Sequence, residues 1–135
     1  MDNKSLSQEW FNFAEADLQS ALFLLNMHPA PLEIICYHCQ QSAEKYLKGF
    51  IALNGGELLK THDLLILNKK CCFYNSDLSI LEDDCINLID YGVQVRYPFH
   101  IDVTDEDMKM AIESAKRIKS LILDSIEISS SNSFQ

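Results

Sequence analysis

Residues 37–49 read YHCQQSAEKYLKG and form the most informative stretch of the chain. They lie in a longer run, residues 32–53, whose apolar side chains recur every three or four positions, as on one face of an α-helix. Four polar residues form a second stripe beside that face, narrower than about 90° at helical spacing: His38, Gln41, Lys45 and Lys48. The stretch predicts one long helix whose polar stripe is either a solvated surface or a binding site.

The helical pattern continues outward in both directions. Periodic apolar positions predict further helices over residues 5–27, from 61 to about 72, over 78–93 and over 104–128. No stretch shows the two-residue alternation of a strand. Because a short proline-containing link joins the first two helices, we expect them to pack antiparallel. The predicted fold is all-α, an up-and-down bundle of four main helices plus one short helix.

Capping residues set the predicted helix boundaries. Ser5 with Gln8 fits a capping box. Asn54-Gly55-Gly56 fits a helix end that is capped by a residue in the left-handed conformation. Three further helix starts are expected at polar or hydroxyl residues, namely Thr61, Asn75-Ser76-Asp77 and Thr104. Residues 1–128 are expected to form a single domain, and residues 129–135, which lack an apolar stripe, a flexible C-terminal tail.

Composition narrows the classes of function. The 135 residues carry 20 Asp and Glu against 11 Lys and Arg, a net charge of −9 that opposes broad, charge-driven nucleic-acid binding. No run reaches the ~20 apolar residues of a membrane span. The five cysteines and the polar start MDNKSLSQEW predict a cytoplasmic protein with free thiols. Cys36 and Cys39 lie about 300° apart around a helix, so we expect no metal site.

Two more clusters carry residues suited to chemistry. His62, in the run KTHDL at residues 60–64, stands at a helix start and could donate to an anion there, or the run could be a plain cap. Arg96 and His100 could clamp a phosphate and move a proton during RNA cleavage, and Tyr97 could add a hydrogen bond. Alternatively, Arg96 forms an ion pair with a nearby acidic residue at the surface, and His100 is exposed in a loop.

These motifs resemble, in their order, the HEPN domain family (higher eukaryotes and prokaryotes nucleotide-binding). The resemblance rests on HxxQxxEKxLK at residues 38–48, KTHDL, RYP at 96–98 and the T-x-E that opens the last helix, and it covers about residues 5–126. It implies a helical bundle that usually forms a homodimer. It also implies a frequent partner, a small nucleotidyltransferase, in toxin–antitoxin-like pairs.

Many members of this family are metal-independent ribonucleases in which an Arg precedes a His by four to six intervening residues. Here Arg96 precedes His100 by three. The resemblance therefore leaves three functions open: a module that binds a nucleotide or partner protein, a ribonuclease with Arg96 and His100 as catalytic residues, or a structural dimeric scaffold. No cofactor is expected. The expected ligand-binding residues are His38, Gln41, Lys45, Lys48, His62 and Tyr97.

Overall fold

The computed structural model describes the backbone of residues 1–92 and 102–132, with side chains through residue 127. Within these ranges the chain forms five α-helices and no strand, which confirms the prediction of an all-α bundle. The helices are α1 (Asn3–Leu24), α2 (Leu32–Leu53), α3 (Leu64–Tyr74), α4 (Glu82–Leu88) and α5 (Asp105–Asn132). Short 3-10 helices, Ser76–Leu81 and Ile89–Gly92, flank α4. None of the described helices combines the length and hydropathy that crossing a membrane requires.

Helices α1 and α2 pack antiparallel, as predicted. Near the start of α1, Ser7 donates to the carbonyl of Gly49 near the end of α2, at 2.8 Å. Farther along α1, Ala14 accepts from the hydroxyl of Ser42, also at 2.8 Å, so the order of contacts is reversed between the helices. A Cβ atom at Gly49 would lie 2.5 Å from the ring of Phe11, so glycine permits this close approach.

The core surrounds α2, which contacts each of the other four helices. The fully buried apolar residues of α2 recur at helical spacing beside the polar stripe, as predicted. Burial of each large aliphatic side chain contributes about 1.5–3 kcal/mol. The buried apolar residues of α2 and α5 are Ile35, Cys36, Cys39, Ala43, Tyr46, Leu47, Phe50, Ile51, Met108, Ala111, Ile112, Ala115, Ile118 and Ile122.

Helix starts differ from the prediction at two places. Asp2, not Ser5, caps α1, because its carboxylate accepts the backbone N–H of Ser5 at 2.7 Å; the helix therefore begins at Asn3, and it ends at Leu24 rather than at residue 27. Asp63, not Thr61, caps α3 and accepts from the backbone of Leu65 at 2.9 Å. Asp and Thr are both good caps, so side-chain type alone does not decide between neighbours.

Two other boundaries behave as predicted. Gly55 has a φ of 75°, the left-handed conformation expected at the end of α2. Thr104 caps α5 reciprocally with Asp107, each side chain accepting the other's backbone N–H at 3.1 Å. These signals are local in sequence, so they could be read without knowing the fold.

The last two predicted helices differ in extent. The helix expected over residues 78–93 is divided, with 3-10 geometry on both sides of the seven-residue α4. Leu78 and Leu81, buried three residues apart, match the three-residue turn of a 3-10 helix. The backbone of α5 stays helical to Asn132, past the expected tail start at Ser129, because extending an existing helix adds one hydrogen bond per residue.

Candidate functional site

A buried carboxylate of α2, that of Glu44, contacts polar side chains from α2 and from the α2–α3 connection. Glu44 is 4% exposed. Its Oε2 accepts from the Nζ of Lys48, one helical turn away, at 3.1 Å. The Nδ1 of His62 lies 3.0 Å from Oε1, and the amide of Gln40 approaches the same oxygen at 3.4 Å. We call Gln40, Glu44, Lys48 and His62 the Glu44 cluster.

Two structural elements bring this cluster together. The spacing of Gln40, Glu44 and Lys48 places all three on one side of α2. The chain then returns toward α2 before α3 begins, and the backbone carbonyl of His62 accepts from the Gln40 amide at 3.4 Å. The cluster therefore fixes the end of the α2–α3 connection against the side of α2.

The ring of His62 is oriented rather than buried. Its side chain is 71% exposed, while that of Glu44 is 5% exposed. A carboxylate can only accept, so the nitrogen that meets Glu44, Nδ1, carries a hydrogen. In the neutral ring, Nε2 then holds the lone pair. The arrangement presents one imidazole nitrogen of fixed type to solvent beside a buried ammonium.

A second carboxylate contacts two other residues of the polar stripe, His38 and Lys45. Asp17 of α1 forms an ion pair with Lys45 and lies 3.0 Å from the Nδ1 of His38. These three residues form the Asp17 cluster. The expected stripe is thus divided between two carboxylates, one contributed by a different helix. Gln41 belongs to the first group, since its amide donates to the side-chain oxygen of Gln40 at 2.7 Å.

The expected convergence of cations is present only in part. Lys48 and His62 meet at Glu44, whereas Lys45 turns to Asp17. The physical reason is the register of α1 against α2, which a helical stripe on α2 alone cannot reveal. The three predicted residues of the RYP region, Arg96, Tyr97 and His100, lie outside the described residues.

The described chain touches the Glu44 cluster at Gly92. A Cβ atom at Gly92 would lie 3.1 Å from side-chain atoms of Gln40, so glycine lets the backbone touch the buried amide. Residue 92 is the last described residue before the stretch that carries Arg96. The contact places Gly92 itself beside the cluster.

An apolar groove adjoins the cluster on the side of α1. Its volume is about 100 Å³, and Lys48 lines it together with Trp10. The Nζ of Lys48 lies 5.6 Å from the centre of the Trp10 ring. We call it the Trp10 groove; its other lining residues are Leu6, Ile51, Ala52, Gly56, Leu58 and Leu59.

The residues expected from the sequence to bind a ligand include neither Trp10 nor Glu44. The structure shows Trp10 partly buried at a groove and Glu44 almost fully buried. A signal for Trp10 was available, because a large aromatic residue at the edge of a stripe is seldom fully buried. Asp17 and Gln40 were missed because no local pattern marks them.

The cysteine thiols are not part of either cluster. All five cysteines are free, as predicted, and Cys36, Cys39, Cys71 and Cys85 are buried. Burial raises the pKa of Cys36 to about 11 and that of Cys39 to about 12. Thiols held protonated in this way are poor nucleophiles and poor ligands. Over the described ranges, no group of three or more His, Cys, Asp or Glu side chains is placed to hold a metal.

Comparison with known proteins extends these observations. A sequence model of the HEPN domain family matches residues 7–126. Among solved structures, the chain is similar to the crystal structure of an archaeal HEPN homologue, with a TM-score of 0.69 and 23% identity, over 89% of this chain and 97% of that one. No curated protein matches the chain. The structural likeness shows a shared fold, and the family match spans most of the sequence. The chain therefore belongs to the HEPN domain family.

Proposed function

We propose that this HEPN domain is a binding module for a nucleotide that acts with a partner protein, a small nucleotidyltransferase, in a toxin–antitoxin-like pair. The observation that carries the proposal is the Glu44 cluster. It holds a buried ammonium, Lys48, and an exposed imidazole, His62, against one carboxylate. Lys48 has further N–H groups to donate to a ligand, and His62 can donate through Nε2 to a phosphate when its ring is protonated.

Stability alone is a weak reason for this arrangement. A buried ion pair such as Glu44–Lys48 adds little free energy of folding, because the desolvation of two charges offsets their attraction. The pair instead fixes the positions of two side chains, because Glu44 holds both Lys48 and His62. Preorganised donors bind an anion with less loss of side-chain entropy than mobile surface lysines do. The geometry thus favours a ligand site over a plain solvated face.

The test of nucleotide binding is isothermal titration calorimetry with ATP and AMP. We expect His62→Ala to weaken binding about ten- to a hundredfold, because a hydrogen bond to a charged group contributes about 1.5–3 kcal/mol. The exposed His28, in the α1–α2 link, provides the matched control His28→Ala. If the wild-type protein binds neither nucleotide, the proposed nucleotide function is wrong.

Charge reversal at Lys48 would not be a clean test. Lys48→Glu would place a second carboxylate beside the buried Glu44, and breaking a buried pair destabilises a protein by about 3–5 kcal/mol. The double variant Glu44→Gln with Lys48→Met removes both charges together. Circular dichroism checks that its helix content matches the wild type.

Membership of the HEPN family is what supports the partner component of the proposal. Its test is coexpression of this chain with the nucleotidyltransferase encoded beside it, where the gene neighbourhood holds one. We expect the two proteins to elute together in size-exclusion chromatography. Separate elution of both folded proteins at micromolar concentration would count against the pair.

The ribonuclease remains a second candidate, favoured by the orientation of His62. An imidazole held through one nitrogen by a carboxylate is the usual arrangement for a general acid or base. In the proposed reaction the 2′-hydroxyl of RNA attacks the adjacent phosphorus and the 5′-oxygen leaves with a proton. Arg96 would clamp the phosphate and His100 would be the acid–base group, as the family resemblance implies, while His62 would be a second imidazole for the two proton transfers.

Cleavage of single-stranded RNA in EDTA tests this candidate with the wild type, Arg96→Ala and His100→Ala. Loss of cleavage in both variants would support it. Equal cleavage by all three proteins would indicate a contaminant, and no cleavage by the wild type would reject it. A protein that neither binds nucleotide, cleaves RNA nor joins the nucleotidyltransferase would be a structural dimeric scaffold.

A further inference from the structure

We infer that the Trp10 groove takes the base of the ligand, a planar heteroaromatic ring bearing hydrogen-bond acceptors. The inference rests on the proposed nucleotide function and specifies which end of the nucleotide enters the groove. Lys48 connects the two places, because it lines the groove and also donates to Glu44.

The first argument is the unused capacity of Lys48. An ammonium can donate three hydrogen bonds. Among the described residues only Glu44 accepts from Nζ, although the Lys48 side chain is 8% exposed. Leaving buried donors without acceptors is unfavourable. An acceptor on a ligand in the Trp10 groove would satisfy them.

The second argument concerns charge. Glu44 already offsets the positive charge of Lys48. A phosphate in the groove would bring an uncompensated negative charge between the apolar side chains of Leu6, Ile51 and Leu59, where desolvation opposes it. The carbonyl oxygen or ring nitrogen of a base accepts hydrogen bonds without carrying that charge. The groove is therefore suited to the base, and the exposed His62 to the phosphate.

The third argument is shape. Trp10 offers an aromatic surface beside the ammonium, and base–aromatic stacking is favourable for every nucleobase. Gly56 also lines the groove, and a Cβ atom there would lie 2.4 Å from the hydroxyl of Tyr74. A side chain at residue 56 is thus excluded, and the groove is bounded by backbone there. A planar ring can stack on Trp10, which a branched aliphatic chain cannot do.

The fluorescence of Trp10 reports occupancy directly, because it is the only tryptophan in the sequence. The probes are adenosine, AMP, ribose 5-phosphate and a short single-stranded RNA. We expect adenosine and AMP to change the emission and ribose 5-phosphate to leave it unchanged. A response to RNA but not to free AMP would assign the base to an RNA strand, and the reverse would assign it to a free nucleotide.

One outcome separates this inference from the proposed function. If AMP and ribose 5-phosphate bind equally by calorimetry while the Trp10 emission stays constant, the nucleotide function stands and the base site is wrong. If none of the four probes binds, both fail together. Binding of adenosine that saturates with a change in Trp10 emission supports both.

Matched variants test the role of Lys48. Glu44→Gln with Lys48→Met should weaken adenosine binding at least tenfold, because the donors are lost while the apolar stem remains. Glu106→Gln with Lys109→Met makes the same chemical change in an exposed pair on α5 and should leave affinity within twofold. An equal affinity in both double variants would overturn the role of Lys48.

A second variant avoids the buried pair altogether. Leu58 lines the groove and is 54% exposed, so Leu58→Ala should fold normally and weaken adenosine binding about threefold through lost apolar contact. Leu25→Ala, at a 37% exposed position outside the groove, is its control. Unchanged affinity in Leu58→Ala would contradict the assignment of the groove.

Discussion

Asp84 is a buried carboxylate that joins α4 to α5. It is 5% exposed and accepts from the hydroxyl of Ser114 at 2.9 Å and from Nη2 of Arg117 at 2.7 Å. The hydrogen bond to Asp84 raises the pKa of Arg117, which keeps the guanidinium charged. With its acceptors occupied, Asp84 acts as a structural anchor rather than as a ligand site.

Removing the cation from this anchor should destabilise the fold. We expect Arg117→Ala to lower the free energy of unfolding by about 2 kcal/mol, below the 3–5 kcal/mol of a fully buried pair because Arg117 is half exposed. Its neighbour Lys116 is exposed, and Lys116→Ala should change the free energy by less than about 0.5 kcal/mol. Urea unfolding of both variants measures the difference, and equal effects would contradict the anchor.

The buried thiols make stability depend on alkaline pH. Burial raises the pKa of Cys36 from 9.0 to about 11 and those of Cys39 and Cys85 to about 12. Above pH 9 the unfolded chain loses these protons first, so raising the pH favours unfolding. Their contribution is fully present below pH 9 and is lost as the pH rises through the folded values.

We expect the free energy of unfolding to fall above pH 9 by about 1.4 kcal/mol per pH unit for each such thiol. Urea unfolding at a series of pH values from 7 to 10.5 measures this slope. In Cys39→Ala the slope should decrease by one thiol's share. A wild-type stability that stays level across the series would show that the thiols are not held protonated.

Helix α3 offers a direct test of which residue caps it. The Asp63 carboxylate accepts from the backbone of Leu65 and Ile66, whereas the Thr61 hydroxyl accepts only from the backbone of Asp63. Asp63→Ala should therefore destabilise the protein by about 1 kcal/mol, the usual effect of losing an N-cap. Thr61→Ala should have a smaller effect in the same thermal unfolding measurement. The opposite ranking would restore Thr61 as the cap.

The sequence predicts a long, well-capped helix better than the geometry of a short one. The bounds of α2 match the prediction because Pro31 and Asn54-Gly55-Gly56 are strong local signals on both sides. The division around α4 was not predicted, since Leu78 and Leu81 fit α-helical and 3-10 spacing equally well. Tertiary packing decides between the two, and a periodic pattern does not contain it.

The candidate site was likewise predicted only in part. Lys48 and His62 were predicted and do meet, but the meeting depends on Glu44 being buried between them. His38 and Lys45 were predicted with them and instead face Asp17, twenty or more residues earlier in the chain. A contact between helices depends on their relative register, which one helix's stripe cannot supply.

The whole molecule carries an apolar surface on the outside of α1. Phe13 is 62% exposed and Phe23 is 73% exposed. At helical spacing these residues lie within about 80° of each other, so they share one side of the helix. Exposed aromatic side chains of this kind are common in protein interfaces. We propose that this side of α1 contributes to a homodimer.

Sedimentation at micromolar concentration tests the assembly. We expect a species of about twice the 15.4 kDa chain mass. Phe23→Ser should shift the equilibrium toward the monomer, because it removes an apolar contact from the interface. Phe73, 79% exposed on α3, provides the control Phe73→Ser, which should leave the dimer intact. A wild type that sediments only as the monomer would contradict a stable dimer.

The contact between His62 and Glu44 has a consequence for motion. His62 directly precedes Asp63, whose carboxylate holds the first amides of α3. A ligand that immobilises the imidazole therefore also restrains the residue from which α3 starts to unwind. Occupancy should slow the exchange of the Leu65 and Ile66 amide hydrogens with solvent, and, by thermodynamic reciprocity, transient fraying of α3 should hasten release of the ligand.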